Sequence, residues 1–187
     1  MTLQEMKKKV LGMIEELDVD MDSLTSDQDI ETKLNDTINQ VMFELARMKK
    51  IPDYVEMEVQ KGDLIRLDDI GNASGYDVYQ IDRVRGVQME YKANGTIIKA
   101  LESGTMEIDY FKYPERITEK TNGSYEFELS ADALEVMPYG VAGDLLKTDV
   151  STSYGQIFTE RYETMLGRLD PRYAMGTFSV EGGVVVG

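Results

Sequence analysis

The chain has 187 residues, 35 of them acidic and 20 basic, for a net charge of -15. That length can bury a sizeable core in one or two domains, and that charge argues against a protein built to grip a phosphate backbone. Cysteine, histidine and tryptophan are absent, which excludes disulfides, thiolate and imidazole metal sites, cysteine nucleophiles and the Ser-His-Asp triad.

The N-terminal run MTLQEMKKKVLGMIEELD predicts a short amphipathic helix, with Leu3, Met6, Val10, Met13, Ile14 and Leu17 at helical spacing. Its apolar run is too short for a signal-peptide core, and no window of the chain has the apolar length of a membrane span. The expectation is a soluble protein with no leader and no membrane partner. Lys7, Lys8 and Lys9 form the densest basic cluster, and with Glu15 and Glu16 close behind they suit a solvated helix face.

Next comes DVDMDSLTSDQD, from Asp18 to Asp29. Asp18, Asp20 and Asp22 match the first three ligand positions of a calcium loop of the EF-hand type. Ser23 stands where that loop needs glycine, and Asp29 stands where it needs a bidentate Glu. Thr25 and Gln28 instead match a capping box for the helix that follows. The loop can therefore be a calcium-binding helix-loop-helix site or an acidic connector, and these three departures favour the connector, with no metal.

The second helix carries Ile30, Leu34, Ile38, Val41, Leu45 and Met48 as its apolar stripe and closes at Pro52. At Asp53 the period changes from helix to strand: Val55, Met57 and Val59 alternate with Glu56 and Glu58. Turn signals follow at Lys61-Gly62-Asp63, across Gly71 to Gly75, at Asn94-Gly95 and at Asn122-Gly123. Asn94-Gly95 predicts a tight hairpin with positive φ at both residues, joining VQMEYKA to TIIKAL. TMEIDYFKY alternates Met106, Ile108 and Tyr110 against Glu107, Asp109 and Phe111, and YEFEL reads as a last strand. Three N-x-[ST] sequons, at Asn72, Asn94 and Asn122, lie in turn-rich stretches where Asn and Gly serve the backbone.

Helical spacing returns after Ser130 with Leu134, Met137, Val141 and Leu145, and a kink or restart is expected at Pro138. Tyr154, Phe158, Tyr162, Met165 and Leu169 mark a fourth helix. The predicted fold class is α+β: a four-helix bundle with an antiparallel β domain inserted between helices two and three. Residues 1-52 and 130-170 supply the two helical pairs, 53-129 the β domain and 171-187 an extended tail.

No phosphate-binding glycine loop occurs, and acidic residues are too widespread for a carboxylate pair to stand out. Eleven tyrosines leave a carbohydrate-binding β module open as an alternative, although packing is their commoner use. The tail TFSVEGGVVVG cannot bury Phe178, Val180, Val184, Val185 and Val186 by itself. It can add to a partner's sheet edge or groove, or dock on its own helices. Adjacent Gly182 and Gly183 suit a hinge and favour the partner.

The run LTSDQDIETKLNDTINQVMFELARMKKIP, the segment MEIDYFKYPERI, the run FELSADALEVMPYGVAGDLLKTDVSTSYGQIFTERYETMLGRLD and the end VEGGVVV occur in that order. In this pattern the chain resembles the head-to-tail adaptor (connector) proteins of tailed bacteriophages. The resemblance implies a structural virion protein made in the host cytoplasm, not an enzyme and without a cofactor. Such adaptors form a homo-oligomeric ring, usually of twelve copies, below the portal protein. The ring extends the DNA channel in the virion neck and docks a tail-side neck or tail-completion protein. The stretch from Phe178 to Val186 would insert into the portal. A length like 53-129 between helices two and three departs from the family's short loop. An acidic channel lining would pass DNA without binding it, which suits the charge of this chain.

Overall fold

The computed structural model describes residues 1–15, 28–85, 89–146 and 152–169. These divide into two compact units: Met1–Ile51 with the described residues from Lys112 onward, and Pro52–Phe111.

In the helical unit, α1 (Leu3–Glu15) opens on a capping box. The Thr2 N–H donates to Glu5 Oε2 at 2.8 Å and the Glu5 N–H to Thr2 Oγ1 at 3.2 Å. Leu3, Met6, Val10 and Ile14 of α1 are buried, as the helical period predicts. Helix α2 (Gln28–Lys49) buries Leu34, Ile38, Val41 and Leu45, with Met42 and Ala46 widening the stripe. It ends where Lys50 takes a left-handed φ of 49° and its N–H caps the Ala46 carbonyl at 2.8 Å, two residues before Pro52.

Helix α3 (Leu67–Ser74) belongs to the other unit, and the helical core is completed by α4 (Ala131–Leu146) and α5 (Thr152–Leu166). Helix α4 packs on α5, α2 and α1. Ten of its sixteen residues are buried, Pro138 among them, and no break interrupts it there. Proline within a helix costs about 3 kcal/mol, so the packing around α4 outweighs it.

The second unit holds two three-stranded antiparallel sheets. The first, ordered β1-β6-β3, comprises β1 (Ile51–Val59), β3 (Val78–Arg85) and β6 (Gly104–Lys112). The second, ordered β2-β5-β4, comprises β2 (Leu64–Arg66), β4 (Tyr91–Ala93) and β5 (Ile97–Ala100). Val59, Ile65, Ile70, Val78, Ile81, Ile98, Met106, Ile108 and Tyr110 make its core.

The predicted four-helix bundle with an inserted antiparallel β domain is not what forms. There are five helices among the described residues, and the strands make two sheets rather than one. Two physical causes stand out. First, α4 is too apolar around its circumference to be one member of a bundle with a solvated face. Residues 113–129 help to cover it, with Ile117, Phe127 and Leu129 joining the helical core. YEFEL is thus no strand; a single bridge joins Glu126 to Thr2. Second, most of the stretch from Gly71 to Gly75, where turn signals predicted a loop, is the second half of α3. The helix starts with Asp69 accepting the Arg66 N–H at 2.8 Å and buries Ile70. It ends at Gly75, whose φ of 80° a side chain would resist.

Asn94-Gly95 also turns differently. Neither residue has positive φ among the described residues. Asn94 Oδ1 instead accepts the N–H groups of Thr96 (2.9 Å) and Ile97 (2.8 Å) and the Thr96 hydroxyl (3.1 Å). Asn122 repeats the device with the Ser124 N–H and hydroxyl, both at 2.9 Å. In both sequons the Asn and the Ser or Thr bond each other to build the turn.

Candidate functional surfaces

The sites placed by the sequence fall in two of the stretches outside the described residues. The tail positions Phe178, Val180, Val184, Val185 and Val186 are there, and so are Asp18, Asp20 and Asp22 of the acidic loop. Among the described residues, no group of three or more carboxylates converges on a position that could hold a metal.

The helical unit carries a cleft of about 340 Å³ between α2, α4 and α5, lined by Gln40, Glu44, Asp144, Thr159, Tyr162 and Glu163. The close approach of α4 to α5 shapes its floor. A Cβ at Gly140 would lie 2.8 Å from the Tyr162 ring, and one at Gly143 would lie 2.8 Å from Thr159 Oγ1. The Tyr162 hydroxyl donates to Glu44 Oε2 at 2.8 Å, and Gln40 Nε2 donates to Asp144 Oδ2 at 3.4 Å. Burial, then the bond to Glu44 and the charges of Glu44 and Asp144, push the Tyr162 phenol far up, so it stays a neutral donor. The charged side chains of its lining are three carboxylates, Glu44, Asp144 and Glu163, beside the neutral Gln40 and Thr159, a charge that disfavours phosphate.

The second unit bears a surface of opposite sign. In the β2-β5-β4 sheet, Leu64 lies opposite Lys99, which lies opposite Lys92, and Arg66 lies opposite Ile97. Strand alternation puts these five side chains on one face, and all five are exposed. Ile65, Ile98 and Ala100 point the other way, into the core. The strands LIR, YKA and IIKA hold three cations and no acidic residue. Arg66, Lys92 and Lys99 form no ion pair among the described residues. Leu64 at 53% and Ile97 at 36% are large apolar side chains left in water.

A search of the sequence for contiguous basic runs finds Lys7-Lys8-Lys9 and misses this face. Arg66, Lys92 and Lys99 meet only through strand register, and the alternation of Lys92 and Lys99 with apolar neighbours is the one local trace of it.

Other ionic groups serve packing. Arg85 grips Asp109 with both Nε and Nη2, the latter at 2.7 Å, and Glu107 lies 3.7 Å from the same guanidinium. Lys112, 5% exposed, meets Glu128 at 3.0 Å within the helical unit. No family model matches the chain, and no curated protein matches it either.

Proposed function

We propose that this chain is a structural, non-enzymatic protein of the tailed-phage neck, a head-to-tail adaptor that assembles as a ring below the portal. One observation supports the reading above others. The two longest segments that resemble such adaptors supply α2, α4 and α5, and these pack into a single core with α1. The acidic cleft of that unit is consistent with a part lying near DNA that must slide past.

On this reading, Phe178, Val180, Val184, Val185 and Val186 contact the portal, and the other end of the ring meets a tail-side protein. The test is attachment of the purified chain to purified portal rings, read by negative-stain microscopy and co-sedimentation. The intact chain should bind as a ring, and a chain lacking residues 177–187 should keep its melting transition but lose attachment. No attachment by the intact chain would overturn the adaptor reading, and normal attachment by the truncated one would overturn the role of the tail.

A further inference from the structure

We infer that the exposed face of the β2-β5-β4 sheet docks on the acidic helical surface of a second copy of this chain. The argument starts from charge. A chain with 35 acidic and 20 basic residues has three cations and no acid within the strands of one three-stranded sheet, arranged by register into a single face that Glu90 borders beside Lys92. Leu64 and Ile97 lie among those cations, and apolar side chains with a charged rim are the composition of a protein contact. A phosphate backbone would not reward the two aliphatic groups, and the net charge of the rest of the chain opposes its approach.

The occupant is another copy because the complementary surface is on this chain. Along α5, Glu160 lies one turn from Ile157 and Glu163 one turn from Glu160 toward the cleft, while Arg161, also beside Ile157, lies over the Tyr139 ring. Ile157 is 57% exposed, Glu160 and Glu163 are exposed, and Glu44 and Asp144 line the adjoining cleft. An acidic surface with an exposed isoleucine matches a basic one with exposed leucine and isoleucine in both charge and apolar character. Two different patches meeting in this way make a heterologous contact, which propagates from copy to copy and closes only as a ring. The inference rests on these two surfaces and not on the neck reading.

The test is sedimentation velocity of the full chain at low and high salt, with Lys92→Glu/Lys99→Glu and Glu160→Lys/Glu163→Lys as variants. Self-association should occur at low salt and weaken as salt rises. Each double variant should weaken it about tenfold or more, as charge reversal across a contact does. An equimolar mixture of the two variants should regain it, because each supplies the face the other lacks. Circular dichroism melting checks that the variants fold; if Lys92→Glu/Lys99→Glu does not, Lys92→Gln/Lys99→Gln takes its place. A wild-type chain that stays monomeric at every salt concentration overturns the inference. So does association that ignores both reversals, or a monomer that binds a duplex DNA oligonucleotide through Lys92 and Lys99. Failure to attach to portal rings would count against the adaptor reading and leave this contact standing.

Discussion

Asn39 and Ile117 are joined by two hydrogen bonds of 2.8 Å: the Asn39 amide donates to the Ile117 carbonyl and accepts from the Ile117 N–H. Both residues are buried, at 3% exposure each. A side chain from α2 thus does for an irregular segment what a neighbouring strand would do, satisfying a backbone donor and acceptor that cannot reach water. Asn39→Ala leaves both unpaired and should cost about 2–4 kcal/mol. Thermal melting should fall by roughly 5–12 °C for a chain of this size. A variant melting within a degree of the wild type would show that solvent reaches Ile117 after all.

Glycines of the same residue type should answer oppositely to alanine. Gly12 of α1 has open space where a Cβ would go, while the Gly140 position is closed by Tyr162 and Val41. Gly12→Ala should stabilise by about 0.5–1 kcal/mol, because alanine loses less freedom in a helix. Gly140→Ala should destabilise by about 1–3 kcal/mol, because overpacking exceeds that gain. Urea unfolding measures both, and equal responses at the two positions would refute the close crossing of α4 and α5.

Asp109 is 7% exposed and depends on Arg85, whose guanidinium is held above its ordinary pKa first by the hydrogen bond to Asp109 and then by that charge. The Arg85 side chain is half exposed while Asp109 is buried, so removing the cation alone leaves a buried carboxylate without its partner. Arg85→Ala should therefore destabilise the chain more than Arg85→Ala with Asp109→Asn. A double-mutant cycle by urea unfolding gives the coupling, and purely additive losses would mean that the two groups act separately.

Two tyrosines predict how the chain fails in alkali. Burial first, then Glu128 and Glu115, pushes the Tyr125 phenol up to about 12, and the Tyr162 phenol is pushed up as well. Both hold their protons more tightly folded than unfolded. The stability they contribute is complete below the ordinary tyrosine value of about 10, and is lost as pH rises from there through the folded values. The melting temperature of the wild type should drop steeply above about pH 10, and Tyr162→Phe should flatten that drop. Tyrosinate absorbance followed alongside should show a late fraction appearing together with unfolding. Full ionisation while the fold persists would contradict the burial of Tyr162 and the partial burial of Tyr125.

Periodicity made the helices of the core legible. Leu3, Met6, Val10 and Ile14, and Leu34, Ile38, Val41 and Leu45, sit inside as their spacing requires. The bundle did not follow, because a stripe says which face is buried and not what covers it. Residues 113–129 cover α4 through Ile117, Phe127 and Leu129, and no local period marks them for that task. LDDIGNAS hid α3 because glycine and asparagine weaken helical propensity, and Ile70 in the core overrides it. The cationic face was illegible for a different reason. Its residues come from three strands, and pairing register is a long-range property.

The division of the chain has a consequence for synthesis. Pro52–Phe111 is continuous, so every contact within its core is available once that stretch has left the ribosome. The helical core is not: Leu3, Met6, Leu34 and Ile38 find partners in Leu134, Met137 and Val141 only after the later helices are made. Domains form as units during translation, at about 5–20 residues per second. For a time on the order of seconds the apolar stripes of α1 and α2 therefore wait for partners that are still to be made.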